Sequence, residues 1–368
     1  MPGATLSCPG AVPALLPIPR FVAAGFAPIC SRLFQSPLDG SFAHKVADIS
    51  VHPGSRGRTA ALDDPGHRRR SPRRHRNRRC FGRPRAMSPG LADLAREPCR
   101  VGVLLPVYSG TDPGHFREAM VSLRAQEGVA TRIILGCDGE LSPAHERVIE
   151  DLTVESDLVL RSDHRSGLSR TLNQTIEAAL RDDSIEYLAR MDADDISVPH
   201  RFCRQSRFLQ AHPDISVAGS WCVEFTETGV AGFLKQLPTS DSELRKSMVY
   251  RSALAHPSVM FHRRVLEAGF RYDPRYDRTE DYELWSRLLL AGVRIANVPE
   301  YLLWHRVSPA LHVKRAGWRL GANEVSLRIR YAKAAGLLRP WHYIGLAGFF
   351  LVRVAPQPLR KLAYRMRD

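Results

Sequence analysis

IEYLARMDADD, residues 185–195, runs from an apolar, β-forming segment directly into three carboxylates. If the chain stays extended, Asp192 and Asp194 project to the same side. Two carboxylates then converge just beyond a strand end, where open α/β sheets bind their ligands. Such a pair repels itself unless a divalent cation removes the penalty. Hard oxygen ligands suit Mg²⁺ or Mn²⁺, particularly when phosphate completes the coordination. An acidic surface turn would also produce this tripeptide, so its meaning depends on the surrounding chain.

The flanking pattern is an alternation of strands and helices. VGVLLPVY (101–108) is a short apolar run ended by Ser109 and Gly110, which predicts a buried strand. A helix follows, with Thr111 or Asp112 as cap, Pro113 in its first turn, and Phe116, Met120 and Leu123 on one face. TRIILGCD (131–138) predicts a second strand ending at Asp138-Gly139, and DLVLRS (157–162) a third after a helix near 143–151. Gly167 precedes a helix bearing Leu168, Leu172, Ile176 and Leu180. IEYLARM is the fourth strand, and a further helix is expected from Pro199. This spacing predicts an α/β protein with a single Rossmann-like, open, mostly parallel sheet flanked by helices.

Beyond residue 213 the pattern is mixed. ISVAGS (215–220) and SVMFHR (258–263) are strand candidates separated by a polar stretch, 226–246. A helix is expected from Glu280 to Ala291, stopped by Gly292, then two strand-like segments at Arg294–Val298 and Tyr301–Trp304. A long basic amphipathic helix is expected over 310–336, with Trp318, Leu327 and Tyr331 among its apolar members.

The 368-residue chain carries a formal charge of +15, but unevenly. Residues 1–86 hold fifteen Arg or Lys against four Asp or Glu, a net +11, which leaves +4 on the other 282 residues. The block RRRSPRRHRNRR (68–79) opposes compaction by its own repulsion, so residues 1–98 are expected to be a disordered basic leader. Three readings of it stay open: a polyanion tether, a solvated extension, or a start placed too far upstream of Met87. No aromatic residues interleave the Arg run, and nucleic acid is not expected as a partner. Seven cysteines, odd in number and without a CxxC pair, argue against a disulfide scaffold or a zinc finger.

At the C-terminus, Tyr343 to Val352 is a ten-residue uncharged run, whereas crossing a bilayer takes about 20. With Arg360, Lys361, Arg365 and Arg367 nearby, this segment either lies on an anionic membrane surface or packs against the body or a second copy.

A second acidic cluster, TEDYELW (279–285), places Asp281 and Trp285 on one helical face, with Glu280 turned about 100° away. Acidic residues early in a helix favour its dipole; a base beside an aromatic sugar platform is the functional alternative. Neither GxGxxG nor GxxxxGK[ST] follows the first strand, which disfavours a dinucleotide fold and a P-loop hydrolase.

Six pieces taken together resemble the inverting nucleotide-sugar glycosyltransferases of family 2, with the GT-A fold. They are LLPVY (104–108), CDG (137–139), GLSRTLN (167–173), RMDADD (190–195), HPSVMFHRR (256–264) and TEDYELW (279–285), in the expected order across roughly 99–305. The resemblance implies a nucleotide-binding part, 99–212, an acceptor and base part, 213–305, and a helical region, 306–368. Pro106 and Tyr108 would sit at the nucleotide end of the first strand, and Asp138 would contact uracil or ribose. Arg165, Gly167 and Asn173 would belong to the segment closing around the nucleotide. Asp192 would hold ribose or metal, Asp194 the divalent cation, and Asp281 would be the general base, with Asp195 and Glu280 as secondary candidates. His256 would lie near the acceptor pocket or serve packing. His305 and Arg306 would approach the diphosphate or be an ordinary core-edge pair.

The same resemblance implies transfer of a hexosyl or N-acetylhexosaminyl group from a nucleotide sugar, expected to be UDP-linked, to a lipid-linked glycan. No QxxRW motif is evident, which implies one sugar per encounter. The setting implied is the cytoplasm, peripheral to the inner face of the inner membrane, in exopolysaccharide or O-antigen assembly. Two other functions stay open: a noncatalytic glycan- or nucleotide-sugar-binding module, and a sugar nucleotidyltransferase. The latter usually carries a Gly-rich basic loop where this chain has YSGTDPGHF.

Overall fold

The computed structural model of the chain describes residues 99–226, 229–307 and 317–355. The basic leader, residues 310–316 of the expected amphipathic helix, and Arg360, Lys361, Arg365 and Arg367 lie outside the described residues.

The first strand, β1 (Arg100–Val107), is buried at every position after Arg100. Its unbroken apolar run reflects a parallel strand covered on both faces. Helix α1 (Pro113–Arg124) is capped by Asp112, whose Oδ1 accepts from the Gly114 and His115 amides at 2.8 and 3.1 Å. Then come β2 (Ala130–Cys137), α2 (Pro143–Leu152), β3 (Leu158–Arg161), α3 (Leu168–Leu180) and β4 (Tyr187–Arg190). Strands β2 and β4 flank β1 on opposite sides, both parallel to it, and β3 is parallel to β2. The order β3-β2-β1-β4 reverses its direction of growth at β1, which opens a crevice at the carboxyl ends of these strands. Alternate residues of β1 serve two cores: Val103 and Leu105 pack with Phe116 and Met120 of α1, while Leu104 packs with Leu172 and Ile176 of α3.

The second half contributes β5 (Ile196–Ser197), α4 (Arg201–Ala211), β6 (Val217–Thr226), β7 (Gly229–Lys235), α5 (Asp241–Ser247), β8 (Met260–His262), α6 (Arg263–Glu267), α7 (Glu280–Leu290) and β9 (Ile295–Arg306). The nine strands among the described residues form one sheet, ordered β3-β2-β1-β4-β8-β6-β9-β5, with β7 on β6. Strand β8 is antiparallel to β4 and β6, and β9 is parallel to β6. The fold is therefore α/β of GT-A type, parallel on the first side and mixed on the second.

Two expectations need correction. The two strand-like segments at 294–298 and 301–304 are one strand, β9. The polar stretch 226–246 contains β7 and α5. The long basic helix, where described, is α8 (Trp318–Ala334), with Leu327 and Tyr331 joining the core that holds Trp285. A final helix, α9 (Pro340–Val354), follows. Among the described residues, no helix is long and apolar enough to cross a membrane.

Candidate active site

After β4 the chain is not extended. Asp195 N donates to Asp192 O at 3.4 Å, closing a turn at Ala193-Asp194. The expectation that Asp192 and Asp194 share one side of an extended segment is thereby corrected: the turn groups Asp192 with Asp195. Antiparallel pairing of β5 with β9, Ile196 opposite Trp304, then delivers His305 and Arg306 to this turn. His305 Nδ1 lies 3.2 Å from both carboxylate oxygens of the fully buried Asp195, and Arg306 N donates to Asp195 Oδ1 at 2.8 Å. Arg306 Nε also donates to Asp194 O at 2.8 Å.

Asp192, Asp195 and His305 each offer a ligand atom, all within 4.8 Å of one another. Burial, then the charges of Asp192 and Asp195, push the Asp194 carboxyl up to about 7. For His305, burial disfavours the charged ring, but Asp195 outweighs it and the pKa is raised. An oxygen-rich group with one imidazole, strained by like charge, fits a hard divalent cation that would relieve the repulsion.

Arg190 links this turn to the rest of the crevice. It is 2% exposed and its Nη2 pairs with Asp192 Oδ1 at 2.5 Å, while its buried Nε and Nη1 have no hydrogen-bond partner among the described residues. Its charge is felt at Tyr272, Glu280 and His256. Asn173 holds the Tyr272 backbone from both sides: its Oδ1 accepts from Tyr272 N at 2.9 Å and its Nδ2 donates to Tyr272 O at 2.8 Å. The Tyr272 hydroxyl is 2.9 Å from His256 Nε2, and the His256 ring meets the edge of Trp285. Burial, then Arg190, pushes the His256 pKa well below the ordinary range, so its ring is neutral near pH 7.

Glu280 and Asp281 open α7, where the helix dipole favours negative charge. Asp281 Oδ1 accepts from Tyr282 N at 2.7 Å. Glu280 is buried, its Oε2 has no hydrogen-bond partner among the described residues, and burial followed by the Asp281 charge pushes its pKa up to about 7. Tyr272 lies in the field of Arg190, Asp281, Glu280 and Asp192 at once. Both acidic centres thus lie within electrostatic reach of Tyr272. Arg190 and Tyr272 are additions to the residues expected from sequence. Arg190 carried a signal, because a charge at the end of a buried strand must be paired; Tyr272, in a polar loop, carried none.

On the other side of the crevice, the buried Asp138 carboxylate accepts from Ser166 N (2.6 Å), Ser166 Oγ (3.1 Å) and Gly167 N (3.1 and 3.2 Å to its two oxygens). Asp138 therefore pins the loop entering α3. Gly139 has φ of 86°, and a Cβ there would come within 2.9 Å of Arg165 Cγ and 3.2 Å of Arg165 N. The Arg165 guanidinium stacks over the Tyr108 ring, 4.5 Å from its centroid. Pro106 is buried opposite Gly136 of β2. An open cleft of about 500 Å³ lies beside Asp138, lined by Gly139, Leu141, Arg161 and Ser162 among others.

The model of glycosyl transferase family 2 matches residues 103–270. Amylovoran biosynthesis glycosyltransferase AmsE of Erwinia amylovora is 31% identical over 255 residues, covering 68% of this chain and 91% of that one. The chain belongs to glycosyltransferase family 2. An uncharacterized glycosyltransferase of Haemophilus influenzae is 30% identical to this glycosyltransferase over 276 residues, covering 72% and 98% of the two chains. The O-antigen biosynthesis glycosyltransferase WbnJ of Escherichia coli is 31% identical over 123 residues, 33% of this chain and 47% of that one. The family match takes in Asp138, Asn173, the 192–195 turn and His256. In this glycosyltransferase, Glu280, Asp281 and His305 lie C-terminal to the matched span.

Proposed function

We propose that this glycosyltransferase moves a hexosyl or N-acetylhexosaminyl group from a UDP-linked sugar to a hydroxyl of a lipid-linked glycan, with inversion and one sugar per encounter. The observation that carries the reading is the division of the carboxylates into two centres, Asp192-Asp195-His305 and Glu280-Asp281, which meet around Arg190 and Tyr272. A displacement at an anomeric carbon needs a base on the nucleophile's side and charge stabilisation on the leaving group's side.

Asp281 accepts the proton of the acceptor hydroxyl, whose oxygen bonds to the anomeric carbon as the nucleoside diphosphate leaves from the opposite face. Glu280 beside it tunes the base, and the neutral His256 with Tyr272 orients the acceptor. Asp192 and Asp194, with Asp195 and His305, would hold Mg²⁺ or Mn²⁺, which would supply positive charge against the departing diphosphate. Tyr108 and the loop of Arg165 and Gly167, held by Asp138, position the nucleotide above Pro106. Asn173 acts at one remove, by fixing Tyr272. The names of the exopolysaccharide and O-antigen relatives support a glycan acceptor of that class. The working location is the cytoplasmic face of the inner membrane.

The test is a pair of variants measured for donor binding by calorimetry and for transfer to a lipid-linked glycan extract. Asp281→Asn should keep donor affinity and lose transfer by at least about a hundredfold. Asp194→Ala should weaken Mn²⁺-supported donor binding. Wild-type transfer rates in both variants would overturn the assignment.

A further inference from the structure

Helix α9 is apolar on two opposite sides. Leu346 is buried, and Phe349 and Phe350 face inward with it, toward α8. The other side presents Trp341, Ile344 and Leu351, which are 61%, 78% and 63% exposed, with Tyr343 and Val354 also exposed. Spaced at three and seven residues, Trp341, Ile344 and Leu351 form one stripe. Trp318, 64% exposed at the start of α8, extends it, because Gly317 N donates to Arg353 O near the end of α9.

This stripe is mounted rigidly. Arg353 pairs with Glu324 of α8 at 2.8 Å, both side chains 11% exposed. The Arg328 guanidinium lies 4.6 Å from the Phe349 ring centroid and 4.9 Å from that of Tyr282, joining α9 through α8 to α7, the helix that begins with Glu280 and Asp281.

We propose that the stripe of α9, with Trp318, docks on an anionic phospholipid surface and holds α7 at a fixed height above it. Charge selects this occupant. Helix α9 contains no acidic residue, exposed Arg339 and Arg319 border its face, and residues 356–368 bring Arg360, Lys361, Arg365 and Arg367 against a single acidic residue, Asp368. Trp341 and Tyr343 near one end and Trp318 at the other are the side chains that favour a bilayer interface. At 15 residues the helix lies on a membrane without crossing it. The inference rests on the reading that the acceptor is lipid-linked, and it adds which surface meets the lipid.

The experiment is flotation of the full chain with vesicles of phosphatidylcholine containing 30% phosphatidylglycerol, against pure phosphatidylcholine, for wild type and for the double variant Ile344→Glu, Leu351→Glu. Both positions are exposed, and donor binding by each protein verifies folding. Wild type should bind the anionic vesicles, the double variant at least tenfold less, and brominated lipid should quench wild-type tryptophan fluorescence. Equal binding by the two proteins would overturn the proposal and point to the basic leader. Absence of wild-type binding together with a dimer that the double variant dissociates would assign the stripe to a second copy, which also overturns it. Normal vesicle binding without transfer to any lipid-linked glycan would instead refute the acceptor reading and leave the docking surface standing.

Discussion

Replacing Asp138 by Ala should loosen the loop at 162–167 without unfolding the sheet. The carboxylate accepts one short bond from Ser166 N and longer ones from Ser166 Oγ and, shared between its two oxygens, from Gly167 N. Hydrogen bonds to a charged group contribute about 1.5–3 kcal/mol each. The Gly167 amide is shared between two oxygens and sits on an exposed residue, so water recovers part of its loss. A net loss of about 2–3 kcal/mol in loop closure follows, equivalent to opening roughly 30- to 150-fold more often. Hydrogen exchange of the peptide spanning Ser166 and Gly167 reads this directly in the donor-free protein, and donor affinity should fall in parallel as Arg165 leaves Tyr108. Asp138→Asn should fall between, since its amide oxygen still accepts. Unchanged protection in the Ala variant, or an Asn variant as loose as Ala, would refute the view that Asp138 organises the loop.

Glu280→Gln tests the burial of a carboxyl whose pKa is raised from 4.5 to about 7. The folded state holds that proton more tightly than the unfolded chain, so wild-type stability falls as pH rises through this interval. The Gln variant should gain on wild type from pH 5 to pH 8, on the order of 1–3 kcal/mol by urea titration; a constant difference would contradict it. Asn173→Ala should cost about 1–2 kcal/mol by releasing both backbone groups of Tyr272, and should raise the KM for acceptor more than that for donor. Saturating Mn²⁺ at a hundred times its Kd should stabilise wild type by about 2.7 kcal/mol, and Asp192→Ala should abolish the effect in thermal melts.

The first half of the sheet was legible because each of its strands is a short apolar run with its own breaker. VGVLLPVY, TRIILGCD and IEYLARM are strands covered on both faces or nearly so, and a helical stripe stands between successive strands. The second half resisted reading for identifiable reasons. Pro299 and Glu300 interrupt the pattern of β9, and a proline cannot donate to a ladder. The sheet absorbs them where Ser220 pairs Val298 and Trp221 pairs Tyr301, leaving the two residues between unpaired. Strand β7 lies off the main path of the sheet, pairs β6, and has no apolar alternation to announce it. In the site, the carboxylates and His305 were visible as residue types. Their grouping was not, because the turn at Ala193-Asp194 and the pairing of Ile196 with Trp304 are tertiary facts. Tyr272 was invisible for the same reason: it is placed by Asn173, 99 residues earlier.

The irregularity at Trp221 also bears on how enzymes of this kind can be recombined. His305 reaches Asp195 only because β9 enters its final stretch in the register set after two shifts, one passing over Pro299 and Glu300 and one passing over Leu302. A one-residue deletion there would turn His305 to the opposite face of the sheet, far along the chain from the carboxylates it serves. A chimera that imports another second half must therefore import, or reproduce, both register shifts and the length of strand beyond them. A break at residue 213, where the sequence texture changes, would thus part His305 from the Asp192–Asp195 turn that it completes.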